Sequence, residues 1–117
     1  EGNVLAVLAA MDPAIEWNEA ENFPYADGNP YVGPQAVVEG VFARLGSEWD
    51  YWNLAIEDVL DAGDRVIALG RYRAKHAENG REIDAQFAHV WTLRDSKAVR
   101  FQQYADTAQV RDAVEGG

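Results

Sequence analysis

His89 is the residue whose type and setting most invite chemistry. It stands in Phe87-Ala88-His89-Val90-Trp91-Thr92-Leu93, an alternating run that turns at Arg94-Asp95-Ser96-Lys97 and returns through Ala98 to Asp106. Successive strand side chains point to opposite faces, so Phe87, His89, Trp91 and Leu93 share one side of the predicted hairpin. An imidazole with an ordinary pKa of about 6.5 can donate or accept a proton near neutrality. Between two large aromatics it reads as a ligand contact or proton carrier. The alternative is a core imidazole satisfied by a neighbour such as Gln103.

Other side chains extend the list. Glu19 and Glu21, one residue apart, fall on one strand face, where two carboxylates can hold a cation or divide acid and base roles; the alternative is a solvated rim. Trp17, Tyr25, Trp52, Phe87, Trp91 and Phe101 can wall a flat pocket for a ring-shaped ligand, or simply pack a core. Arg71 and Arg73 share a strand face, with surface pairing to Asp84 or Glu82 favoured over an anionic substrate. His76 sits beside the Glu78 to Arg81 turn and is expected to be exposed. Two distant histidines and no cysteine give no metal-ligand spacing.

These residues need elements to position them. Asn3 can cap a short helix through Val4, Leu5, Leu8 and Met11, stopped by Asp12-Pro13, and this helix reads as truncated at its start. Ala14 to Glu21 reads as a short strand, and residues 22–33, rich in Asn, Pro, Gly and Tyr, as a loop. Gly33-Pro34 opens an amphipathic helix with Val37, Val38, Val41, Phe42 and Leu45 on its apolar stripe and Gly46 as its close. Tyr51 to Leu60 and Arg65 to Lys75 read as strands joined at Asp61-Ala62-Gly63-Asp64. Asn79-Gly80 marks the next tight hairpin. After the last strand, Asp106-Thr107-Ala108-Gln109 resembles a capping box opening a C-terminal helix. Helix, strand, helix and a four-strand meander make an antiparallel α+β domain over residues 1–117 in which helices cover one sheet face, and a strongly curved sheet would leave a concave pocket between them.

Composition narrows the partners. The chain has 117 residues, 48% of them apolar, and a formal charge of −10, so the acidity belongs to a folded surface. Such a surface repels phosphate backbones and anionic headgroups, which argues against nucleic acid and membrane partners. No apolar run reaches the roughly 18 residues of a spanning helix, and no basic-then-apolar signal pattern opens the chain. The cytoplasm is the default expectation.

Ile15-Glu16-Trp17, Tyr31-Val32-Gly33-Pro34, His89-Val90-Trp91-Thr92-Leu93-Arg94-Asp95 and Tyr104-Ala105-Asp106-Thr107 together resemble the SnoaL-like, ketosteroid-isomerase-related branch of the nuclear-transport-factor-like superfamily. The resemblance implies a cone-shaped α+β barrel around a small-molecule cavity and a homodimer formed through the outer sheet face. Phe101 and Gln103 would then face the cavity beside His89, with Arg100, Gln102 and Tyr104 outside.

Several chemistries occur on this scaffold, so residues must choose among them. Ketosteroid isomerases place a protonated carboxylic acid where this chain has His89, and a carboxylate base just after the first strand, where Glu19 is the substitute. Limonene-epoxide-hydrolase-like members need an arginine two residues before an aspartate; Phe87 and His89 stand there, which counts against that activity. SnoaL-like cyclases use a carboxylate near the end of the last strand, a position close to Asp106, which could share base and donor roles with His89. Helix capping is the other reading of Asp106. The resemblance thus implies a small-molecule-binding protein with cofactor-independent acid/base activity of isomerase or cyclase type, on a cyclic or carbonyl-containing hydrophobic compound. The alternative is a non-catalytic ligand-binding or dimerisation module of the same fold.

Overall fold

The computed structural model describes residues 10–115. Strand β1 (Met11–Asn18) is followed by a 3-10 turn (Pro24–Gly28) and a two-residue strand, β2 (Tyr31–Val32). Helix α1 then runs without interruption through Pro34–Val37, Val38–Phe42 and Ala43–Glu48. Strands β3 (Trp49–Asp61), β4 (Arg65–His76), β5 (Glu82–Arg94) and β6 (Lys97–Ala105) form the meander, and α2 (Thr107–Glu115) closes the described chain. The predicted N-terminal helix falls largely outside the described residues. Met11, Asp12 and Pro13 are not its end but the start of β1, and Pro13 lies where the register with β6 shifts, one of the few sheet positions open to proline.

The sheet is six-stranded, in the order β2-β1-β6-β5-β4-β3, and does not close, as a curved cone requires. Only the β1–β6 pair is parallel. The architecture is the α+β cone expected from the sequence. The loop expected over 22–33 contains the 3-10 turn and β2. Helix α1 passes through Gly46 and stops at Trp49, whose backbone is already extended.

The Arg94–Lys97 turn puts two non-glycine residues in the left-handed region, Asp95 (φ 52) and Ser96 (φ 67), the geometry that matches strand twist in a tight hairpin. At the Asn79-Gly80 turn, Gly80 alone takes positive φ, at 74. The Asn79 side chain instead accepts the Arg81 N–H at 3.0 Å and donates to the Ala113 carbonyl at 2.8 Å, tying the hairpin to α2.

Cross-strand rows explain how the sheet builds an interior. Trp17 pairs with Phe101, and Phe101 with Trp91, which places three rings side by side on adjacent strands. His89 pairs with Gln103 on one side and with the small Ala68 on the other. Gly70 opposes Phe87 and Ile56. A Cβ there would stand 2.2 Å from the Ala55 carbonyl oxygen and 3.0 Å from the Phe87 ring, so glycine permits the close approach of β3.

Helix α1 carries a π turn over Val38–Phe42 where it faces this interior. Such turns recur at functional sites because the extra residue re-aims neighbouring side chains. Val41 and Phe42, adjacent in sequence, both reach the cavity wall. Among the described residues no helix is long and apolar enough to cross a membrane.

Candidate functional site

Between the concave sheet face and α1 lies a cavity of about 740 Å³. Trp17, Trp52, Trp91, Phe101, Glu19, His89 and Gln103, all anticipated from sequence, line it. One wall is made of mutually packed rings. Trp17 stacks on Phe101 at 3.8 Å and meets Trp91 and Phe42 edge-on, both at 5.6 Å. Facing groups come from β3 and β4, where Trp52 packs against Trp49 and Tyr72 at 4.8 Å in each case.

Tyr72, which the sequence reading left unassigned, is the hub of the polar groups. It occupies β4 between Arg71 and Arg73, and strand parity places it on the face opposite those arginines. Both arginines reach Asp84, at 2.7 and 3.5 Å, as the expected surface pairing. That parity was the available signal for Tyr72.

A directed hydrogen-bond chain runs through this hub. The Ala20 N–H donates to Gln103 Oε1 at 2.9 Å, which leaves Gln103 Nε2 to donate to Tyr72 Oη at 2.8 Å. Tyr72 Oη also meets His89 Nε2, and the phenol is the donor there when the imidazole carries its own hydrogen on Nδ1. Burial lowers the His89 pKa from 6.5 to about 3, so the ring is uncharged at neutrality. Burial likewise pushes Tyr72 far above the usual phenol range, and the Glu19 charge adds to that rise.

Glu19 is the ionisable group left near neutrality. Only 3% exposed, it sits just beyond the end of β1, and its Oε2 accepts the Trp17 indole N–H at 2.7 Å. Asn29 clamps its main chain in both directions, accepting the Glu19 N–H at 2.9 Å and donating to its carbonyl at 2.8 Å. Desolvation raises the carboxyl from 4.5 to about 7, outweighing the opposing indole hydrogen bond and the Arg44 charge. A carboxyl that is half ionised at neutral pH can take or return a proton.

Four expectations are corrected. Asp106 is exposed and outside the cavity wall: its Oδ1 accepts the Gln109 N–H at 3.3 Å, the capping geometry of α2. Tyr25 is buried behind the wall, donating to Glu48 Oε1 at 2.6 Å and accepting the Trp49 indole N–H at 3.1 Å. Phe87 backs the site instead of lining it, stacked on Tyr72 at 4.4 Å and on His89 at 4.2 Å. His76 is buried, its ring 5.0 Å from Trp49, because β4 continues under the start of β3. Glu21 is exposed, so the two glutamates do not act as a pair. Among the described residues no group of three or more His, Asp or Glu side chains converges to hold a metal ion.

Comparison with known proteins agrees with the fold. An NTF2-like protein from Burkholderia thailandensis is 39% identical, with a TM-score of 0.89 over 94% of this chain and 83% of its own. An NTF2-like protein from Burkholderia pseudomallei is 27% identical, with a TM-score of 0.86 over 97% of this chain and 86% of its own. TerC, co-crystallised with polyporic acid, is also 27% identical, with a TM-score of 0.83 over 96% of this chain and 85% of its own. No curated protein matches the chain. The SnoaL-like domain matches residues 1–101, and with that extent of match the chain belongs to the SnoaL-like domain family.

Proposed function

We propose that the protein binds a flat, cyclic, carbonyl-containing hydrophobic compound and catalyses proton transfer on it without a cofactor, as an isomerase or cyclase does. The observation that carries this reading is the Glu19 carboxyl buried in the wall of an aromatic cavity, where desolvation pushes its pKa up to about 7. Glu19 takes the proton from a carbon beside the ligand carbonyl. Tyr72 supplies the donor for the resulting enolate, turning its hydroxyl from His89 toward the ligand oxygen. His89 and Gln103 position that hydroxyl. That TerC was crystallised with polyporic acid supports a small organic occupant for this scaffold.

The test is exchange of α-protons. Incubated in D2O with 2-tetralone, the protein should accelerate loss of the α-proton signal, and Glu19→Gln should lower that rate by at least a hundredfold, a typical loss for an acid/base group. Equal rates for the two proteins would leave the binding reading and remove the catalytic one.

A homodimer through the outer sheet face belongs to the same reading. Supporting it are Tyr104, 57% exposed, and Leu60, 43% exposed, on rows shared with Leu69, Ala88, Ile67 and Val90. Light scattering should give twice the chain mass, falling to one chain for Leu69→Asp with Tyr104→Asp.

A further inference from the structure

The cavity is lined without a single lysine or arginine among the described residues. Its carboxyl groups are the buried Glu19 and the exposed Asp50, in a chain whose net charge is −10. Half of the lining residues are aromatic. Several of their rings meet nearly at right angles: Trp17 with Phe42 at 89°, Trp17 with Trp91 at 80° and Trp49 with Trp52 at 76°. With Phe101 stacked on Trp17 at 3.8 Å, these rings pack into one aromatic wall, and a ring face turned to the cavity attracts a cation within about 6 Å of its centroid.

Three ligand charges can be weighed against this lining. An anion meets a carboxylate and ring faces with no cationic donor, so it is rejected. A neutral body fills the apolar volume but leaves Glu19 to face desolvation alone, which favours the protonated acid. A cation satisfies the rings and the carboxylate together.

We propose that the cavity selects an organic ammonium ion carried on a flat apolar body, with Glu19 as its counter-ion and the aromatic lining as the surface it rests against. The inference rests on reading Glu19 as the ionisable group of a ligand cavity, and it adds the charge of that ligand. Groups facing Glu19 from the surrounding elements do not compete for the role. Trp17 donates its indole N–H, Tyr72 and His89 are neutral, and Gln103 is uncharged. Arg44 on α1 is held by Asp27 at 2.8 and 3.0 Å, and Asp50 is itself acidic.

The experiment compares three probes of similar shape by quenching of indole fluorescence: benzyltrimethylammonium, its uncharged isostere neopentylbenzene, and phenylacetate. At pH 8 the ammonium should bind at least tenfold more tightly than neopentylbenzene, with phenylacetate weakest. With Glu19 titrating at about 7, ammonium affinity should fall roughly tenfold from pH 8 to pH 6, while neopentylbenzene affinity stays within twofold. Glu19→Gln should abolish the pH dependence and most of the preference. Neopentylbenzene or phenylacetate binding as tightly as the ammonium at pH 8 would overturn the ligand charge while leaving the acid/base reading intact. Failure of all three probes to bind would likewise overturn the ligand charge, while α-proton exchange with 2-tetralone decides the acid/base reading separately.

Discussion

Gln103 Nε2 lies 2.8 Å from Tyr72 Oη, and that contact ties β6 to the polar hub of the cavity. Because the Gln103 carbonyl is already taken by the Ala20 N–H, the amide can only donate to the phenol. With the imidazole hydrogen on Nδ1, the phenol donates to His89, or to a ligand oxygen when one is present. A residue at the end of β1 is thereby coupled to β6, β4 and β5 through one side chain.

Removing the Tyr72 hydroxyl should expose what it satisfies. Tyr72→Phe keeps the ring stacked on Phe87 but strands the buried Gln103 amide and His89 Nε2, at a cost of about 1–3 kcal/mol. Urea unfolding should show that loss, and α-proton exchange should fall more steeply than ligand affinity.

Stability against pH carries opposite contributions from Glu19 and His89. Between 4.5 and about 7 the folded chain keeps a Glu19 proton that the unfolded chain has released, so stability falls as pH rises. Between 6.5 and about 3 the unfolded chain holds a His89 proton that the folded chain lacks, so stability falls as pH drops. The two slopes, each about 1.4 kcal/mol per pH unit, oppose one another from 4.5 to 6.5. Relative to wild type, Glu19→Gln should therefore gain stability as pH rises through that window, and His89→Gln should lose it.

Asp106→Ala tests the capping assignment. Loss of an N-cap costs about 1 kcal/mol, seen as a lower Tm, and leaves ligand binding and proton exchange unchanged. A large fall in exchange with unchanged stability would return Asp106 to the site.

Gly40 makes a packing prediction for the π turn. A Cβ at this position would stand 2.1 Å from Tyr31 Cε1, against a buried ring whose hydroxyl donates to the Tyr25 carbonyl at 2.6 Å. Gly40→Ala should destabilise the fold by about 1–3 kcal/mol in denaturant unfolding.

Much of the scaffold was legible because strand parity and turn chemistry are local. The alternation of Phe87, His89 and Trp91 placed His89 on the inner face, and Asp106 with Gln109 signalled the cap. Depth was not local. Glu19 is buried by an asparagine ten residues on and by a β6 glutamine whose amide meets the neighbouring Ala20 from 83 residues away. His76 lies next to an exposed turn in sequence, yet the start of β3 covers it. Tyr72 was readable by parity from its flanking arginines, but its role as hub depends on Gln103 and His89 from two other strands.

The central claim is that Glu19 is a proton carrier at neutral pH, and its carboxyl carbon reports that directly. NMR of the protein with 13C-labelled glutamate, the Glu19 signal assigned by its loss in Glu19→Gln, should give a titration midpoint of about 7. A midpoint at or below the ordinary value of 4.5 would mean a carboxylate ionised throughout the physiological range, and would contradict the account.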